Sequence, residues 1–324
     1  MTGGLILIIL VLSLVLIKSA DMVIVGLRRI AKQSHTKVFA LSAIVLALGT
    51  SFPELFVGIT SALEKTPNLS LGVVIGSNIA NIALIGGLTA IISGKIRVYS
   101  EELGHEVWIA FAAGALPIFL ASDRHLNRVD ALILIAVYLA YATGFFRKRY
   151  VQIGKEQQEE QGFVYRFVRR FNHIDSAQRK EFGRLFIGIA LLLASADGIV
   201  KFASILASEA GIPIFVVGLV VLAIGTSLPE LAFSLRSILD HEPSMFFGNL
   251  LGSTIANSTL VVGTVALISP IEIFAFDDYL LAVAAFIFVF SWFWIFVRSK
   301  NRLDRWEGVM LLFIYITFLV LEFV

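Results

Sequence analysis

The sequence predicts an all-α polytopic membrane protein, with ten transmembrane helices arranged as two inverted five-helix repeats with discontinuous core helices. Three observations carry that expectation. They are apolar runs of bilayer-crossing length, positive charge gathered in alternate loops, and one internal offset shared by three motifs.

The apolar runs come first. Of 324 residues, 58% are hydrophobic and only 15% charged, and mean hydropathy is +0.88. Soluble domains carry charge on about a quarter of their residues. A crossing needs about 20 mostly apolar residues, and ten candidates satisfy that: 3–26, 38–63, 68–93, 105–121, 129–146, 183–206, 212–239, 244–270, 277–297 and 306–323. The first runs past signal-peptide length without a basic leader, so it reads as a span. The polar interval 147–182 separates a first five-helix repeat, 1–146, from a second, inverted one, 183–324.

Charge then orients the spans. Arg28, Arg29, Lys32 and Lys37 follow span one, and Lys95 and Arg97 follow span three. Ten Lys and Arg residues crowd the stretch from Arg147 to Arg184, and Arg298, Lys300, Arg302 and Arg305 follow span nine. With alternating spans these all fall on one side, while Lys65, Arg124 and Arg128 fall on the other. The positive-inside rule makes 147–182 a cytoplasmic basic linker and puts both termini outside a cell membrane, as expected for a multi-pass prokaryotic protein. Within the linker, Phe163, Phe167 and Phe171 interleave with Arg166, Arg169 and Arg170. That pattern suits either an amphipathic helix on the inner leaflet or a solvated linker. Scattered short basic loops argue against nucleic-acid binding, and the absence of cysteine excludes thiol chemistry and thiolate metal sites.

The offset is 176 residues. It joins "ALGTSFPEL" at 47–55 to "AIGTSLPEL" at 223–231, and "SAD" at 19–21 to "SAD" at 195–197. It also joins "GSNIAN" at 76–81 to "GSTIAN" at 252–257, and Gly72 to Gly248. A duplicated unit with an odd number of spans enters the membrane the opposite way round. Inverted repeats of this kind characterise secondary transporters, which bind substrate near the midplane on broken helices.

The motifs carry chemistry. Ala47, Thr50, Ser51 and Glu54 share one helix face, as do Ala223, Thr226, Ser227 and Glu230. Gly49 with Pro53, and Gly225 with Pro229, should break the helix and release carbonyls near Ala47 and Ala223. Ser77 and Asn81 share another face, as do Ser253 and Asn257. Together these make a cage of oxygens, which suits a hard cation and prefers Ca2+ to Mg2+. All five histidines (His35, His105, His125, His173, His241) fall in loops or at span ends. A lone Ser or Thr in a membrane helix is usually satisfied by its own backbone. A carboxylate there costs at least about 2.5 kcal/mol, so Glu54 and Glu230 are read as functional. Asp21 and Asp197 each have a lysine within one helical turn (Lys18, Lys201), and ion pairing accounts for them. No H-E-x-x-H, no cysteine and no mid-span histidine offers enzyme chemistry, and an inverted repeat argues against a channel.

The paired motifs "ALGTSFPEL…GSNIAN" and "AIGTSLPEL…GSTIAN" resemble the alpha repeats of the calcium/cation antiporter superfamily, most closely its prokaryotic sodium/calcium exchanger branch. The resemblance implies an ion-binding core of the second, third, seventh and eighth helices, with the first and sixth sliding to alternate access. It implies Ca2+ and Na+ as transported ions, no cofactor, a lipid bilayer as environment, and no obligate protein partner. Glu54 and Glu230 would be shared carboxylates. Thr50, Thr226 and the carbonyls of Ala47 and Ala223 would contribute to Ca2+ or Na+ coordination. Ser51, Ser227, Ser77 and Ser253 would line flanking Na+ positions, and Asn81 and Asn257 would complete the centre. Asn257 departs from relatives that carry an aspartate, which argues against potassium dependence and leaves Na+ against H+ coupling open. Proton/calcium exchange through the same glutamates is the alternative, and the two "GTS" triplets favour Na+.

Overall fold

A computed structural model describes residues 2–33, 51–97, 103–153, 176–239, 243–300 and 302–322. Almost all of them are helical. The helices are α1 (Thr2–Gln33), α2 (Phe52–Leu63), α3 (Pro67–Ser93), α4 (Leu103–Leu120), α5 (Arg128–Ile153) and α6 (Ser176–Ala210), followed by α7 (Ile214–Leu239), α8 (243–268), α9 (Phe276–Lys300) and α10 (Arg305–Glu322). Short antiparallel ladders tie the loops: β1 (Lys95–Arg97) pairs β4 (Arg302–Asp304), and β2 (His125–Leu126) pairs β3 (Ile271–Glu272).

Among the described residues, seven helices are long and apolar enough to cross a membrane: Gly3–Val23, Pro67–Ser93, Glu106–Asp123, Phe186–Ala210, Ile214–Leu239, Met245–Ile268 and Phe276–Arg298. The count expected from sequence is ten. Of the other three, 38–63 lies partly outside the described residues, and its described part, α2, is a short apolar helix. Helix α5 covers 129–146, and α10 covers 306–322 of the tenth. The linker 154–175, with its Phe/Arg pattern, also lies outside the described residues.

Two apolar clusters organise the bundle. Helices α1 and α6 lie along each other and bury Ile9, Leu16, Ala20, Leu192, Ala196 and Ile199 in a cluster that takes in Val57, Val73 and Leu222 from the neighbouring helices. A larger cluster joins α3 with α4, α8, α9 and α10 through residues such as Ile79, Phe246, Phe286, Phe290 and Leu311. Lipid-length helices keep large apolar side chains outward, as at Leu7, Phe119, Phe186 and Phe313, which is the expected pattern for a surface facing hydrocarbon.

The tightest contact is between α3 and α7. A Cβ on Gly72 would overlap the Phe215 carbonyl, one on Gly76 the Leu219 carbonyl, and one on Gly218 the Leu69 carbonyl. In lipid, helix association depends on packing and small residues rather than on hydrophobic exclusion, so bare backbone is the natural contact surface. Replacing Gly76 by Ala should therefore cost about 1–3 kcal/mol of stability in detergent unfolding. Gly4→Ala, where an added Cβ meets nothing within 4 Å, should stay within about 0.5 kcal/mol. Equal effects would contradict the backbone contact.

Candidate functional site

The helix break appears where the Gly–Pro spacing puts it. In α7 the helical run Ala223–Thr226 ends at Ser227 (φ −85°, ψ 2°), and Leu228–Leu239 starts afresh. In the first copy Ser51 (φ −86°, ψ 4°) precedes Phe52–Leu63. The two turns match within a few degrees at the 176-residue offset. One detail differs from expectation. The Ala223 carbonyl is not released, since it accepts the Ser227 N–H at 3.2 Å. Proline deprives the carbonyl four residues back, which is that of Gly225. The second lone pair of the Ala223 carbonyl remains available.

A feature that sequence reasoning missed lies in the partner motif. The chain is π-helical over Ala80–Ile85 and again over Ala256–Val261, displaced by the same offset. A third π-helical stretch, Val217–Leu222, leads into the α7 break. Such turns are rare and concentrate at functional sites. Here they hold Asn81 and Asn257 in their first turns, and only the shared "AN" in the two sequences hints at them.

The structure buries most of the expected site residues and brings five of them into contact: Glu54 with Ser77 and Thr226, and Asn81 with Ser253. Glu54, Glu230, Ser51, Ser227, Ser77, Ser253, Asn81, Asn257 and Thr226 are all at most 3% exposed. Ala223 is fully buried against Gly76. Ala47 and Thr50 lie outside the described residues. Contacts cross between the copies. The Ser77 and Thr226 hydroxyls stand 3.4 Å apart, and the Asn81 amide donates to the Ser253 hydroxyl at 3.1 Å. The Glu54 carboxylate faces the hydroxyls of Thr226 and Ser77, yet neither closes a hydrogen bond on it, and both its oxygens are buried without a partner. The Ser51 and Ser227 hydroxyls, the Asn81 Oδ1 and both amide atoms of Asn257 are likewise buried and unpartnered. Buried polar groups are nearly always hydrogen-bonded, so this concentration of unmet oxygens fits a hard cation. Among the described residues, no group of three or more His, Cys, Asp or Glu gathers anywhere. At Glu54 the neighbours are neutral hydroxyls, those of Thr226 and Ser77.

Other polar residues behave as the bland reading expects. Ser19 and Ser195 bond the carbonyls four residues back. Asp197 pairs with Lys201 at 2.9 Å. Asp21 is exposed, and no pair with Lys18 forms among the described residues. Two contacts had no forecast. The buried Ser13 hydroxyl of α1 sits against Gly225, 2.9 Å from where a Cβ would stand. The Asn78 amide donates to the Ser258 hydroxyl at 2.7 Å.

Known proteins share this architecture. The model of the sodium/calcium exchanger protein family matches residues 4–147 and 180–324. CaxA of Alkalimonas amylolytica is 30% identical over 312 residues, 95% of each chain. The sodium/calcium exchanger MaX1 of Methanosarcina acetivorans is 28% identical over an alignment of 351 positions, 97% of each chain. The solved structure of the sodium-calcium exchanger NCX_Mj, soaked with Na+ and Sr2+, superposes with a TM-score of 0.62 at 24% identity over 99% of each chain, and shares the fold. With both halves of the chain matched, this protein belongs to the sodium/calcium exchanger family: a multi-pass membrane antiporter of calcium and other cations, which are its substrates, and not an enzyme.

Proposed function

We propose that this chain exchanges Ca2+ for Na+ as a secondary active antiporter, binding the ions at the midplane through Glu54 and Glu230. The observation that carries this reading is the Glu54 carboxylate, fully enclosed, unpartnered, and facing the Thr226 hydroxyl of the other sequence copy and the Ser77 hydroxyl of its own. Thr50, Thr226, the Ala47 and Ala223 carbonyls, Ser51, Ser227, Ser77, Ser253, Asn81 and Asn257 supply the neutral oxygens. Two ionised glutamates balance one Ca2+, and Na+ ions take overlapping oxygens when it leaves. A cage without a cation leaves buried charge uncompensated, at several kcal/mol in a low-dielectric interior. Crossing without cargo is thereby disfavoured, and transport becomes obligatory exchange.

Alternating access follows from ten spans in two inverted units, 1–146 and 183–324, joined by the cytoplasmic linker 147–182 with both termini outside. The close packing of α1 against α6 supports their sliding as a pair, with Ser13 riding on the bare backbone of Gly225. The family match, which leaves 148–179 aside, is consistent with that division.

Reconstituted vesicles test the reading directly. Radiolabelled Ca2+ uptake should follow an outward Na+ gradient and fail with Li+, K+ or a pH gradient. Uptake driven by the pH gradient instead would make the protein a proton/calcium exchanger. Glu54→Gln and Glu230→Gln should each abolish uptake while the purified protein stays folded, and retained transport in either would overturn the site. Asn257→Asp adds a protonatable group, so its uptake should fall more steeply in acid than that of the wild type; identical pH profiles would separate Asn257 from the cage. Because the chain has no cysteine, single Cys substitutions report orientation. Gln161→Cys should react only with cytoplasmic reagent and Ser122→Cys only with external reagent.

A further inference from the structure

Helices α3, α4, α8 and α9 line a small pocket. Its walls include Val74, Pro117, Val262 and Phe286, and its volume is about 10 Å³. That is room for about one water molecule. Three polar side chains line it: Asn78, Ser258 and Tyr279. All are at most 3% exposed. Asn78 and Ser258 bond each other at 2.7 Å, whereas the Asn78 Oδ1 and the Tyr279 hydroxyl are buried with no partner. Turning the amide over, so that Ser258 donates to Oδ1, would leave Nδ2 equally in need of an acceptor.

The pocket is not a by-product of the duplication. At the 176-residue offset, Asn78, Ser258 and Tyr279 correspond to Thr254, Ile82 and Leu103. Thr254 satisfies itself on the Leu250 carbonyl at 2.9 Å, which an asparagine's longer amide does not do here. The polar trio therefore belongs to one side of the protein only. It also sits next to the site. Asn78 follows Ser77 and lies one turn before Asn81, and Ser258 follows Asn257 within its π-helical stretch.

We propose that this pocket binds one water molecule, which accepts from the Tyr279 hydroxyl and donates to the Asn78 Oδ1. The hydrated Asn78–Ser258 pair then acts as a positioning element: it fixes the spacing of α3 and α8 where Ser77, Asn81 and Asn257 project, and so sets how tightly the cage holds its cation. This role rests on the exchange reading above, whereas the water site does not.

Two measurements on the purified full-length protein separate them. Asn78→Leu and Tyr279→Phe remove different partners of the same water. The unfolding midpoint of the double variant should therefore fall no further than that of Asn78→Leu alone, and additive losses would overturn the water site. In vesicles, Asn78→Leu should raise the half-saturating Ca2+ concentration about tenfold while the maximal rate stays within about twofold. The milder Ser258→Ala should move it the same way and serves if Asn78→Leu fails to fold. An unchanged half-saturation in the folded variants would overturn the positioning role. A wild-type protein that moves no Ca2+ on a Na+ gradient would defeat the exchange reading, with the unfolding comparison still deciding the water.

Discussion

Two carboxylates enclosed in an apolar bundle set the terms for everything around them. Glu54 and Glu230 are 1% and 0% exposed, and a charge at that depth costs several kcal/mol unless something opposite in sign or strongly polar meets it. Few basic residues lie in the spans to meet it; the positive charge has been sorted into loops. What lies near Glu54 instead is a set of neutral oxygens with unspent hydrogen-bonding capacity, Thr226 and Ser77 among them. A carboxylate so placed calls for a cation or a proton to balance it.

The rest of the core serves to bring those oxygens together. Leu219, Ala223 and Thr226 reach α3 because Gly72 and Gly76 let two backbones touch; any side chain there would hold the Ser77 and Thr226 hydroxyls apart. The helix breaks at Ser227 ahead of Glu230, Ser51 takes the same turn ahead of Glu54, and π-helical turns place Asn81 and Asn257. Irregular backbone of this kind survives inside a membrane only where protein or cargo satisfies it. The seam between the α1–α6 pair and the remaining helices runs past the same break, at Ser13 and Gly225.

The duplicated halves agree in backbone and differ in side-chain bonding. Ser51 and Ser227 have nearly equal dihedral angles. Yet Ser253 accepts from Asn81, while its counterpart Ser77 stands against Thr226 and leaves Asn257 without a partner. Backbone geometry follows from Gly, Pro and Ser positions, which the two copies share. Hydrogen bonds follow from all neighbours at once, and those have diverged.

That distinction also divides what was legible beforehand. The sequence by itself determined the membrane class, the 176-residue repeat of motifs and the helix break ahead of Glu230, because apolar length, motif spacing and proline geometry are local properties of the chain. It also paired Asp197 with Lys201, four residues apart on one helix, whereas the expected pair of Asp21 with Lys18, three apart, does not form among the described residues. Only the tertiary structure decided that the Ala223 carbonyl keeps a donor in the Ser227 N–H, that two π-helical turns carry the asparagines, and that Asn78 meets Ser258. The last contact, like Ser77 with Thr226 and Asn81 with Ser253, joins residues 149 to 180 positions apart. No periodicity along the chain encodes which hydroxyl will meet which amide at that separation. Packing of one glycine-faced helix on another does.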